Sequence, residues 1–194
     1  MTEIFLVRHG EPDWANSGQG YDPVLTEEGR GQAQLMGAWV KENLSIDSVF
    51  ASTLKRAKET ADIANKSLNL DLNLREELEE WPHPQGVWNV LDNPHSFTEF
   101  ANPFVPILDI KHDDEYVKFG QRVHSAINEI ASTNKNKSVL VVCHGGVIGQ
   151  VFRNITGNHY MPLISDFTGM SRIYWEEERW VIGYMNRLDH LNQC

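Results

Sequence analysis

Ile4-Phe5-Leu6-Val7-Arg8-His9-Gly10-Glu11 is the stretch that decides how this chain folds. Its four leading apolar residues make a short strand covered on both faces, the kind found inside parallel sheets. An imidazole and a guanidinium stand at the strand's end, and Gly10 lets the chain turn closely behind them. In an open α/β sheet, that end is where ligands bind. Further along, Val139-Leu140-Val141-Val142-Cys143-His144-Gly145-Gly146 repeats the arrangement: an apolar strand, a histidine, glycine and a helix start. If the two strands are parallel neighbours, His9 and His144 meet at one edge. Either histidine alone is more often a structural hydrogen-bonder than a catalyst, and only the pair reads as a site.

Ser52 through Thr60 supplies a third element, in which Ser52 is predicted to cap a helix carrying Leu54, Ala57, Ala61, Ala64 and Leu68 at helical spacing. Arg56 falls in the first turn, where its guanidinium and the free helix N–H groups can grip one oxyanion. Lys55 and Lys58 read as a solvated face. Thr26 to Asn43 is a predicted helix, with Glu27 and Glu28 favoured in its first turn and Ala33, Met36, Val40 and Leu44 as its stripe. Ile46 to Ala51 reads as a short strand, and Leu70, Leu72 and Leu74 alternate as in a half-buried one.

Tyr116, Phe119, Val123, Ile127 and Ile130 mark a long amphipathic helix before the second histidine strand. Val147, Ile148, Val151, Phe152 and Ile155 mark another after it, ended by Gly157. Arg172 to Trp175 and Trp180 to Tyr184 read as an antiparallel hairpin closing the sheet. The expected fold class is α/β: a three-layer sandwich with a mostly parallel, mixed central sheet flanked by helices.

With 194 residues and 41% hydrophobic content, the chain supports one sizeable core, and residues 1–194 read as one domain. A formal net charge of -10 argues against a nucleic-acid partner, so an anionic substrate must be captured by a local cationic pocket. Two cysteines, Cys143 and Cys194, make no disulfide framework, and no run approaches a membrane span. The expectation is a soluble cytoplasmic protein with no membrane partner.

With these residues in view, the chain resembles the histidine phosphatase superfamily, which also contains the cofactor-dependent phosphoglycerate mutases. The resemblance rests on Arg8-His9-Gly10, on Asp22-Pro23-Val24-Leu25-Thr26-Glu27-Glu28-Gly29, on Ser52 to Thr60 and on His144-Gly145. It implies a phosphoglycerate mutase-like fold and a phosphatase in which His9 becomes phosphorylated while Arg8, Arg56 and His144 hold the phosphate oxygens. The residues themselves leave open which histidine attacks; only the resemblance assigns it to His9. Phosphoryl transfer needs mainly positioning and charge stabilisation, so no metal and no cofactor are expected. The substrate would be a phosphorylated small molecule or a phosphoprotein.

Two rival readings are a mutase that returns the phosphoryl group to a sugar acid and an idle phosphate-binding regulatory module. Mutases resembling this family are generally longer, which favours hydrolysis, and every charged member of the core site is intact, which favours catalysis.

The resemblance also implies a carboxylic acid that protonates the leaving group, and two glutamates compete for it. Leu74-Arg75-Glu76 and Leu78-Glu79-Glu80 both fit the family's Leu-x-Glu pattern. Glu80 is preferred because Trp81-Pro82 follows it and because the strand before it can run its full length first. Residues 81–114, rich in proline, asparagine and aromatics, read as a cap that sets specificity. His83, His95 and His112, near Asp113 and Asp114, lack the close spacing of recognisable zinc sites and read as surface residues or substrate contacts. The family's Trp-Asn after the first motif is here Trp14-Ala15-Asn16, so Asn16 is not carried over as a site residue. His190 reads as structural, and exposed aromatics of the cap or hairpin would suit a homodimer.

Overall fold

The computed structural model describes residues 1–16, 22–81, 114–159 and 163–192. The predicted N-terminal strand, β1 (Thr2–Arg8), has two interior neighbours. It pairs in parallel with β4 (Ser138–Cys143) and antiparallel with β5 (Met170–Glu176). β2 (Ser48–Ser52) lies parallel on the far side of β4, and β3 (Leu72–Arg75) is the edge beyond it. β6 (Arg179–Arg187) closes the other edge as the second arm of the hairpin, giving the order β3-β2-β4-β1-β5-β6. The first four strands in that order are parallel and the last two reverse, the mixed sheet that the patterns imply.

Both faces of β1 and β4 are buried, which explains why they carry unbroken apolar runs rather than alternation. Phe5, Val7, Leu140 and Val142 pack with Met36 and Val40 of α1 (Glu27–Asn43) and Ala57, Ala61 and Ala64 of α2 (Lys55–Leu68). Ile4, Leu6, Val139 and Val141 pack with Val123, Ile127 and Ile130 of α3 (Asp114–Thr133) and Val147, Val151 and Phe152 of α4 (Gly145–Thr156). Two helical layers thus sandwich the sheet. Gly157 ends α4 in the left-handed conformation, the role expected of it. Thr26 caps α1 by accepting from Gly29 N–H at 2.9 Å.

Three local expectations shift. β2 runs from Ser48 to Ser52 rather than from Ile46. β3 starts at Leu72 and leaves Leu74 42% exposed, since an edge strand has only one neighbour to cover it. Ser52 does not cap α2: its N-cap residue is Leu54, and the Lys55 N–H donates to the Asp22 carboxylate at 2.7 Å. A charged acceptor from another loop satisfies the helix start, and Ser52, as a strand residue, turns inward. Apart from Trp81 and the backbone of Asp114, the segment assigned to a cap lies outside the described residues. So do His83, His95, His112, Asp113 and Cys194. No described helix is long and apolar enough to cross a membrane.

Candidate active site

The pairing of β1 with β4 sets Arg8 opposite Cys143, so the next residue on each chain is a histidine. The His9 N–H donates to Cys143 O at 2.9 Å, and the two imidazole rings lie 5.1 Å apart. Both histidines are buried. β2 on the other side of β4 brings Ser52 to His144 Nε2 at 2.9 Å, and α2 starts just beyond, with Arg56 only 2% exposed. The sheet order therefore gathers three stretches distant in sequence at one edge.

Hydrogen bonding decides which ring nitrogen of His9 keeps a lone pair. Nδ1 lies 2.7 Å from Gly10 O, and a carbonyl can only accept, so Nδ1 carries the proton. That leaves a lone pair on Nε2, which accepts from Arg56 Nε at 3.2 Å. Burial, together with the Arg56 guanidinium, holds the His9 imidazole well below its ordinary pKa, so it is neutral at neutral pH. His144 is held down in the same way, by burial and then by His9 and the arginines.

Arg8 donates through one terminal nitrogen to Ser165 O at 2.5 Å, and its guanidinium lies 4.2 Å over the Phe167 ring. Its Nε and His144 Nδ1 are buried without a hydrogen-bond partner, so the cationic edge has nitrogens that an oxyanion would satisfy.

Glu80 lies at the same edge. Its Oε2 accepts from Gly146 N at 3.0 Å and its Oε1 from Trp81 N at 3.0 Å. Burial raises its pKa despite those two bonds and the nearby Arg56 and Arg8 charges. A Cβ on Gly146 would come within 2.1 Å of the Glu80 carboxyl, so this approach requires glycine. Glu76, the other contender, is exposed and opens a 3-10 turn (Glu76–Leu78). All five sequence-derived residues, Arg8, His9, Arg56, Glu80 and His144, therefore come together. Asn16 does not join them: it is exposed and bonds only to the Asp13 carboxylate among the described residues. His190 is buried with Nε2 2.9 Å from Thr168 Oγ1, a structural bond as expected.

Several contributors are absent from the sequence reading. Thr60 Oγ1 accepts from Gly10 N at 3.0 Å and donates to Arg56 O at 2.7 Å, tying the turn after β1 to α2. Its position four residues after Arg56 was the available signal. Ser165 and Phe167 carry no motif, and only the β1–β5 pairing brings their loop to Arg8.

The comparisons with known proteins agree with this fold. The family model that matches, over residues 4–188, describes the histidine phosphatase superfamily (branch 1). The uncharacterized phosphatase PhoE of Bacillus subtilis is 29% identical over 99% of this chain and 98% of its own. A metal-independent phosphoserine phosphatase of Arabidopsis thaliana is 26% identical over 99% of this chain and 84% of its own. The solved structure of Bacillus stearothermophilus YhfR shares the fold, with a TM-score of 0.76 at 24% identity over 99% of this chain and all of the other.

Proposed function

The chain belongs to the histidine phosphatase superfamily, and from that premise we propose that it is a metal-independent phosphomonoesterase working through a phosphohistidine on His9. The observation that carries the reading is the Nδ1–H to Gly10 O bond, which leaves a neutral, nucleophilic Nε2 beside two arginines. Nε2 attacks phosphorus in line and the bond to the ester oxygen breaks. Glu80 gives its proton to the departing alkoxide, a role to which a partly buried carboxyl with a raised pKa is suited. Glu80, now a carboxylate, then takes a proton from water as that water displaces the phosphate from Nε2.

Arg8, Arg56 and His144 hold the equatorial oxygens throughout. Ser52 donates to His144 Nε2 in this reading, so that His144 presents an Nδ1–H to the phosphate. Residues 81–114 form the specificity cap of the single domain.

The test is phosphate release from p-nitrophenyl phosphate with and without EDTA. Turnover that survives the chelator is expected; turnover that vanishes with it, or none at all, overturns the proposal. Arg56→Ala is expected to lose roughly 100- to 1000-fold in kcat, the loss typical of an oxyanion donor. Lys55→Ala, next to it on the exposed side, serves as the mild control. A near-normal kcat for Arg56→Ala would remove that arginine from the mechanism.

A further inference from the structure

Glu80 lies in neither strand nor helix. β3 stops at Arg75, and the 3-10 turn Glu76–Leu78 is the last regular element before it. The turn closes with Glu79 N–H donating to Glu76 O at 2.9 Å, and the carbonyls at the end of so short a helix need donors from elsewhere. Arg122 of α3 supplies them. One terminal nitrogen donates to Glu76 O at 3.2 Å and to Glu77 O at 3.1 Å, and the other donates to Glu79 O at 2.9 Å. A rigid planar fork of donors suits three carbonyls of one turn, a task for which the single ammonium of a lysine is poorly shaped.

The third bond bears most directly on the proton donor. Glu79 O and Glu80 N belong to one planar peptide unit, so holding that oxygen fixes the direction in which the chain enters Glu80. The residue that follows is held from the same helix: the Trp81 ring stacks on Phe119 at 5.7 Å and 13°, and Arg122 Cζ lies 5.1 Å from the Phe119 ring centre. α3 thus grips the peptide before Glu80 and the ring after it. Gly146 N and Trp81 N bind the carboxyl itself, and Thr53 Oγ1 donates to the Glu79 carboxylate from the end of β2. Leu78, fully buried in the core with Phe119, anchors the turn without setting its rotation.

We propose that Arg122 is the positioning residue for the proton donor: by holding the carbonyls of the turn before Glu80, it aims that carboxyl at the leaving group. Arg122 acts through Glu80 and does not touch the substrate. The role rests on the phosphatase reading above, with Glu80 as donor, and adds to it a residue on another helix. Proton transfer tolerates little error in placement, since a shift of about 1 Å can cost on the order of 100-fold.

The experiment compares benzyl phosphate with p-nitrophenyl phosphate, two esters of like charge and similar size whose leaving groups differ in their need for a proton. kcat and KM are measured for wild type, Arg122→Met, Arg122→Lys, Glu80→Gln and the double variant of Arg122→Met with Glu80→Gln. Arg122→Met is expected to lose roughly 10- to 100-fold in kcat on benzyl phosphate and less than about 3-fold on p-nitrophenyl phosphate. In the Glu80→Gln background the same change is expected to cost less than about 3-fold on either ester, because no donor is left to aim. Arg122→Lys keeps the charge without the fork; it is expected to show the same leaving-group dependence with a smaller loss, and it decides the matter if Arg122→Met does not fold. Equal losses on both esters, a loss confined to KM, full additivity with Glu80→Gln, or no loss in Arg122→Lys would overturn the positioning role. If wild type hydrolyses neither ester, the phosphatase reading itself has failed. If wild type hydrolyses both and Glu80→Gln shows no leaving-group dependence, the donor assignment falls and the positioning role with it.

Discussion

His9→Ala abolishes turnover and, in a quenched reaction, the phosphorylated protein, while leaving the fold intact. The expectation follows from the position of the ring. His9 sits beyond the end of β1, so its loss removes none of the apolar side chains that join the sheet to its helical layers. Its backbone N–H still donates to Cys143 O. What disappears is the one nitrogen whose lone pair hydrogen bonding fixes beside the arginines. Mass spectrometry of acid-sensitive phosphate on wild type and variant makes the comparison. Phosphate found on His144, or on no residue in a turning-over wild type, would reassign the nucleophile.

Glu80→Gln should cut turnover by roughly 100- to 10,000-fold for alkyl phosphates and far less for p-nitrophenyl phosphate. The difference arises because p-nitrophenolate departs without a proton whereas an alkoxide needs one. The glutamine keeps size and an acceptor but cannot give up the proton. At ordinary values, a histidine turns neutral only after a carboxyl has already ionised, so the two required states would hardly overlap. Burial moves them toward each other, lowering His9 and raising Glu80.

The alkaline limb of kcat/KM should therefore lie above the usual carboxylate range and vanish in Glu80→Gln. Equal losses on both leaving groups, or a larger leaving-group-dependent loss in Glu76→Gln, would transfer the role away from Glu80.

The site was legible where chemistry and strand end coincide in one short motif. Arg8-His9-Gly10 and His144-Gly145 each announce a polar cluster after an apolar run, and the parallel register does the rest. Arg56 was legible because a helix start follows a strand. Glu80 was legible only as one of two, since an acidic run looks alike on a surface and at a site. It is the approach of Gly146 N, a long-range contact, that partly covers one carboxyl and not the other. Ser52 was misread as a cap because local spacing cannot foresee Asp22 arriving from another loop at the same helix end. Ser165 and Phe167 carry no motif at all. Their positions depend on which strands are neighbours, which is not written locally.

The order of the strands also bears on how the molecule comes into being. Of the described strands β1 is made first, but its partners are β4 and β5, more than 120 residues further along. At about 5–20 residues per second of synthesis, the first strand waits on the order of 10–30 s before either edge can be paired. Until then the nascent chain carries an apolar strand open on both sides, a template for aggregation that a holdase chaperone would have to shield. No N-terminal fragment can be active, because the two histidines become neighbours only after β4 has been threaded between β1 and β2. Such sequence-distant pairing also slows the final search for the native state. Activity should therefore appear late and all at once during translation, after release of most of the chain.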